Sequence, residues 1–268
     1  MERRLTLVVG SGALVPHVVA AASKAAGSLQ ILGFGSQGLG PRMIPVRAGD
    51  PEDFFEKVAS FRTTHLAFAG AVRLADAERE AWARLAGMPA QTLGDTSLSN
   101  VLATIGRDRG LSFVGAHEIA PDLLAAEGHV AGPLVDAALR EQAGFALARC
   151  REAGRLDLGQ ALVFSGHRLV AAEDIAGTDA LLRRVRRYRE QGLTGDGGGR
   201  LILAKASKPE QPAFVDLPAI GPKTVANCAL AGISLIVVEA GRTLLLNRAA
   251  LAATADEKGV TVLALSDG

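Results

Sequence analysis

An α/β fold, with a parallel sheet flanked by helices in the N-terminal half and a second α/β domain behind it, is predicted by three observations. Short apolar runs of strand length, such as Leu5 to Val9, Leu66 to Ala69 and Leu111 to Val114, alternate with helical periodicities. Strands joined by helix-length crossovers of about ten residues or more must run parallel. Glycines then punctuate the ends of these runs, at Gly10, Gly27, Gly70, Gly154 and Gly232.

Taken in order, Leu5 to Val9 reads as a buried strand, Gly10-Ser11-Gly12 as a turn, and Leu14 to Ala26 as a helix. A glycine turn between strand and helix lets backbone N–H groups face a phosphate. The GxG pair matches only half of a dinucleotide fingerprint: Val15 stands where the third glycine belongs, and no acid closes the strand region Leu29 to Gly35. Gly10 and Gly12 are therefore open to two readings, a nucleotide-touching loop or a structural turn. Asp50-Pro51-Glu52-Asp53 supplies an N-cap, a proline at the first helical position and acids in the first turn, and opens a helix to Arg62. Ala75 to Ala86 is helical, and Asp95 opens another helix to Arg109. This first domain is expected to span 1–129.

The stretch from Ala125 to Pro133 is small, contains glycine and ends in proline, a linker composition that sets the second domain at 130–268. A helix from Leu134 to Ala153 is followed by a hairpin, Leu162 to Phe164 and Leu169 to Ala172 around Gly166. Thr178 is read as the N-cap of a helix that keeps Leu181, Leu182, Val185 and Tyr188 on one face and five arginines largely on the other. Those arginines make either a solvated face or an anion-facing one. Five glycines between Gly192 and Gly199 predict a mobile loop. Strands are expected at Leu201 to Ala204, Leu235 to Val238, Thr243 to Leu246 and Val260 to Leu265, with helices from Pro222 to Ala231 and up to Lys258.

Composition narrows the function classes. The 268 residues carry 29 Lys and Arg against 28 Asp and Glu, and aromatic content is 4%, so neither a global field nor stacking surfaces recruit nucleic acid. Cys150 and Cys228 are read as core thiols of a reducing compartment. Met1-Glu2-Arg3-Arg4 runs directly into a strand without a signal peptide, and no apolar run is long enough to span a bilayer, so a cytoplasmic location is expected.

Chemistry concentrates between Leu201 and Lys223. An apolar strand delivers Lys205 and Lys208 into a loop holding Pro209 and Pro212, Asp216 follows between Val215 and Leu217, and Gly221-Pro222-Lys223 starts a helix. Cations, a helix N-terminus and a flanked carboxylate suggest a phosphate site with a metal or a base. Asp216 is assigned to metal ligation or water orientation, against a turn-capping role before Pro218. Asp179, in a first helical turn, either complements the helix dipole or joins the metal. Glu173 could join the same metal or form a surface ion pair. An unpaired ammonium on an apolar strand is costly, which favours a phosphate partner for Lys205; Lys208 is a second candidate. Gln160 holds either a substrate hydroxyl or backbone groups, and His117 is a base or a hydrogen-bonded core histidine. The histidines form no metal-spaced cluster, so zinc is not expected. No nucleophile elbow, Walker loop or Cys/His pairing is present, which favours direct attack by water.

Six blocks in order, GSGALVP, FVGAHEIAPDLLA, LDLGQALVF, EDIAGTDALLRR, LAKASKPEQPAFVDLPAIGPKTV and AGISLIVVEAG, resemble the LpxI-type UDP-2,3-diacylglucosamine pyrophosphatases of lipid A biosynthesis. The resemblance covers nearly the full length. It implies an N-terminal Rossmann-like domain, a C-terminal catalytic α/β domain and a site between them. The implied reaction is hydrolysis of the pyrophosphate of UDP-2,3-diacylglucosamine to UMP and 2,3-diacylglucosamine 1-phosphate, by water, with Mg²⁺ or another divalent metal. The family's essential aspartate falls on Asp216. Asp216, Lys205 and Asp179 are the expected catalytic residues; Gly10, Gly12, Gln160, Thr178, Lys208 and Gly221 are expected to bind substrate; Asp216, Asp179 and Glu173 are expected at the metal. Peripheral contact with the inner membrane and a homodimer are both compatible with this reading. The alternative is a non-catalytic binder of UDP-linked lipids. Pro212 and Ala213 stand where relatives commonly carry an acid and an arginine.

Overall fold

The computed structural model describes residues 3–25, 27–34, 43–72, 74–85, 87, 105–194, 200–209, 214 and 217–266. The chain divides into two compact units, Met1–Asp122 with Glu210–Asp216, and Leu123–Pro209 with Leu217–Gly268. Most of the helix expected from Asp95, the 195–199 part of the glycine loop, Pro212, Ala213 and Asp216 lie outside the described residues.

The first unit is built on a parallel sheet of order β3-β2-β1-β4-β5, formed by β1 (Arg4–Val9), β2 (Ser28–Phe34), β3 (Met43–Val46), β4 (His65–Ala69) and β5 (Ser112–Val114). This is the strand order of a doubly wound, Rossmann-like sheet. The strands are near-continuous apolar runs because both faces are covered; Leu5, Leu7, Val8 and Val9 are all buried. Helix α1 (Leu14–Ala25) packs on β1 and β4, while α2 (Pro51–Ser60) and α3 (Asp76–Leu85) pack together. Asp50 caps α2 as expected, its side chain accepting the Asp53 N–H at 3.0 Å. Phe54, Phe55 and Trp82 fill the space between these helices, with Phe54 and Trp82 ring centroids 5.5 Å apart. Strand β3 was not expected from the sequence; Pro45 is tolerated there because β3 lies at the sheet edge. The short helix α4 (Ala116–Ile119) was likewise not expected.

The second unit is a mixed sheet of order β6-β13-β11-β9-β7-β8. Its centre is parallel: β9 (Leu201–Lys205), β11 (Ile233–Glu239) and β13 (Thr261–Leu265). The expected hairpin, β7 (Ala161–Ser165) and β8 (Arg168–Ala172), adds antiparallel strands at one edge. Strand β6 (Gly128–Ala131) closes the other edge against β13, so the stretch whose composition reads as linker contains a strand. A small separate pair, β10 (Ala219–Ile220) and β12 (Leu244–Leu245), completes the strands.

Alternation along the central strands assigns two faces. Ile202 and Ala204 of β9, with Leu235 and Val237 of β11, pack under α5 (Ala137–Arg155). Leu201 and Leu203, with Ile236 and Val238, belong to the core shared with α6 (Thr178–Glu190), α7 (Pro222–Leu230) and α8 (Arg248–Lys258). The apolar stripe of α6 is as expected, with Leu181, Leu182 and Val185 buried and Tyr188 packed beside them. Its N-cap is a correction: Gly177, at φ 80°, takes that position, and Thr178 is the first helical residue. The Thr178 hydroxyl is engaged elsewhere.

Candidate functional site

Period two places Lys205, the last residue of β9, on the face of Leu201 and Leu203, beneath the start of α6. Its side chain is buried with the residue only 6% exposed, and Nζ donates to Thr178 Oγ1 at 2.9 Å. That hydroxyl donates in turn to Glu173 Oε1 at 2.5 Å. The other carboxylate oxygen, Oε2, accepts the Gln160 backbone N–H at 3.0 Å. Lys205, Thr178, Glu173 and Gln160, singled out separately in the sequence, thus form one continuous chain of hydrogen bonds.

The backbone around Glu173 is fixed from several sides. Its N–H donates to Ala161 O at 2.8 Å. The Arg184 guanidinium reaches Ala172 O at 2.5 Å and Asp174 Oδ2 at 2.6 Å, so it holds the residues before and after Glu173. Arg184, one of the five arginines of α6, is therefore tied to this loop. Gly159 sits at φ +95°, and a Cβ there would lie 2.9 Å from Glu173 O, so the turn before Gln160 requires glycine.

Asp179, in the first turn of α6, binds the neighbouring helix. Lys223 Nζ donates to Asp179 Oδ2 at 2.7 Å, and Asn227 Nδ2 to Oδ1 at 3.1 Å. The Lys223 hydrogen bond, with smaller contributions from its charge, Asn227 and Arg183, holds this carboxyl below the usual carboxylate range. Gly221 caps α7; its N–H donates to Thr224 Oγ1 at 3.4 Å, and Pro222 follows at the first helical position as expected. A Cβ at Gly221 would meet Leu246 Cβ at 3.3 Å.

On the opposite face of the same sheet edge stands an arrangement not singled out in the sequence. Glu239, ending β11 and 4% exposed, accepts the Ser207 N–H at 3.0 Å and the Ser207 hydroxyl at 2.7 Å on Oε2. Oε1 accepts from Arg151 Nε of α5 at 3.1 Å. Lys208 Nζ pairs with Asp157 Oδ1 at 2.6 Å. The loop leaving β9 is thereby held from both faces, by Glu173 through Lys205 and by Glu239 through Ser207. The sequence signal for Glu239 was a lone acid ending ISLIVV, but its partners are distant in the chain.

In the first unit, Gly10-Ser11-Gly12 follows β1 at the carboxyl end of the sheet, where β1 lies between β2 and β4 and the strand order reverses. Ser11 and Ala71 exchange backbone hydrogen bonds of 2.9 and 2.8 Å, and a Cβ on Gly10 would lie 2.2 Å from Ala71 O. Gly10 therefore has a packing reason to be glycine. Gly12, at φ +118° and with open space around it, has a conformational one. Both readings of this turn are compatible with that position. His117 Nδ1 is buried without a hydrogen-bond partner among the described residues. Burial pushes the Cys150 thiol up to about 12 and raises Cys228 further, so both are thiols rather than nucleophiles.

Among the described residues, the chemistry available at the β9 edge is anion binding. Of the three N–H donors of Lys205, one is used by Thr178. Of the carboxylates read as metal ligands, Glu173 and Asp179 each accept a hydrogen bond on both oxygens, which leaves one further lone pair on each oxygen, and Asp216 lies outside the described residues. No group of three or more His, Cys, Asp or Glu among the described residues is placed to hold a metal ion. No helix among them is long and apolar enough to cross a membrane.

Residues 126–263 match the LpxI C-terminal domain family. Over 173 residues the chain is 40% identical to the UDP-2,3-diacylglucosamine pyrophosphatase LpxI of Caulobacter vibrioides, an alignment covering 63% of this chain and 61% of that relative. The aligned part thus spans less than two thirds of the relative's length.

Proposed function

Since the chain belongs to the LpxI family, whose C-terminal domain covers 126–263, we propose that it hydrolyses the pyrophosphate bond of UDP-2,3-diacylglucosamine. The products are UMP and 2,3-diacylglucosamine 1-phosphate. The observation that carries this reading is the buried Lys205 ammonium at the carboxyl end of a parallel strand, held by a neutral hydroxyl instead of a carboxylate. A lysine so held has, among the described residues, no carboxylate bonded directly to Nζ that an incoming anion would have to displace, and a pyrophosphate requires charge neutralisation as the P–O bond breaks.

In this reading Lys205 faces the phosphates, Thr178 holds it in place, Gln160 orients the neighbouring sugar or phosphate oxygens, and the α7 N-terminus at Gly221 adds backbone donors, while Lys208 stays in its ion pair with Asp157. Gly10 and Gly12 offer a second set of backbone donors at the switch point of the N-terminal sheet. Asp216 is the carboxylate assigned to orient water or hold a divalent metal such as Mg²⁺, which would supply charge neutralisation and a more acidic water. Asp179 supports the site by tying α6 to α7. The protein acts in the cytoplasm on a lipid drawn from the inner-membrane surface.

The test is direct incubation with UDP-2,3-diacylglucosamine and Mg²⁺, followed by ³¹P NMR. Stoichiometric appearance of UMP and a sugar 1-phosphate supports hydrolysis, whereas saturable binding without either product replaces it with a lipid-binding role.

A further inference from the structure

We infer that Glu173 is a positioning residue that fixes the Lys205 ammonium through the Thr178 hydroxyl, and is not a metal ligand. The inference deepens the proposed hydrolysis and rests on it for its kinetic consequence, while its structural part stands alone. Glu173 Oε1 takes the Thr178 proton at 2.5 Å and Oε2 takes the Gln160 N–H at 3.0 Å, so each oxygen has a donor. A hydroxyl has one proton to give. Because Thr178 gives it to Glu173, its lone pairs are turned toward Lys205, which donates to it at 2.9 Å.

The arrangement answers an energetic problem. A buried ammonium is costly without a compensating negative charge, yet a carboxylate placed directly on Lys205 would compete with the phosphate. An interposed hydroxyl lets Glu173 compensate the charge from one bond further away. It also leaves the remaining Lys205 donors without partners among the described residues. The frame around Glu173 is rigid: Arg184 grips the residues on either side of it, Ala161 O takes its N–H, and Gly159 permits the close approach of the preceding turn. Such fixing of an outer partner is how a site keeps its inner group in register.

The experiment uses the full chain and the variants Glu173→Ala, Glu173→Gln, Thr178→Val, Thr178→Ser and the double variant Glu173→Ala/Thr178→Val. UMP release is measured across substrate and Mg²⁺ concentrations, and amide hydrogen exchange is followed at Gln160. We expect Glu173→Ala to lower kcat by about tenfold to hundredfold, the usual effect of losing an outer partner, with a smaller change in KM. The double variant should lose clearly less than the product of the two single losses, Thr178→Ser should recover most of the Thr178→Val loss, and half-saturation by Mg²⁺ should not move. Gln160 exchange should accelerate in Glu173→Ala. Multiplicative losses in the double variant, or a higher Mg²⁺ requirement in Glu173→Gln, would overturn the inference. Should the wild-type chain release no UMP, the proposed hydrolysis fails separately; unchanged Gln160 exchange in both folded Glu173 variants would then still refute the relay.

Discussion

Lys223 Nζ stands 2.7 Å from Asp179 Oδ2, so the first turn of α7 is tied to the first turn of α6 beside the Lys205 site. Both side chains are partly exposed, and such pairs contribute less than about 1 kcal/mol. The pH dependence is more informative than the magnitude. Lys223 depresses the Asp179 pKa below the ordinary aspartate value of 3.8, so the pair stabilises the fold above that value and is lost as pH falls through the lower folded-state value. We expect the stability difference between wild type and Lys223→Met to be constant near neutral pH and to shrink below pH 3.8. A difference that persists in strong acid would show that Lys223 acts by packing.

Glu239 carries a heavier structural load. Its buried carboxylate holds Ser207 by two hydrogen bonds and Arg151 by a third. Removing one partner from a buried ion pair costs about 3–5 kcal/mol. Glu239→Ala should lose stability of that order in urea unfolding, and a loss near zero would mean that the cluster rearranges freely.

Gly10→Ala places a methyl group 2.2 Å from the Ala71 carbonyl oxygen, a backbone atom held by its own hydrogen bonds. Overpacking of this kind costs about 1–3 kcal/mol. Thermal unfolding of the variant checks this, and wild-type stability would show that the Ser11–Ala71 bridge is dispensable.

Cys150 should be inert in the native chain. Burial raises its pKa to about 12, whereas an ordinary thiol titrates near ~8.5 and reacts readily with a disulfide reagent in mild alkali. Neither Cys150 nor Cys228 should be modified until denaturant is added. Rapid native labelling would contradict their placement in the core.

Much of this arrangement was legible in local pattern. Leu201-Ile202-Leu203-Ala204 marked a buried strand, and alternation alone sets Lys205 on the face of Leu201 and Leu203. Asp50 and Pro51 announced α2, and Gly221-Pro222 announced α7, because capping chemistry is local. What was hidden depends on distant partners. Gly128–Ala131 reads as linker until β13 is beside it, and Pro45 obscured an edge strand. Thr178 looked like an N-cap because a hydroxyl before an apolar stripe usually is one; Gly177 with positive φ freed it to bridge Glu173 and Lys205. Glu239 gave no signal of its own, since Ser207 and Arg151 lie 32 and 88 residues away.

The most direct measurement is UMP release from UDP-2,3-diacylglucosamine by wild type and Lys205→Met, run beside thermal unfolding of both. Methionine fills the buried space of the lysine stem without its charge. Losing one preorganised donor at a transferring group costs about 10²–10³ in rate. The account predicts a kcat loss of that size with the fold intact; near-wild-type turnover by Lys205→Met would contradict it.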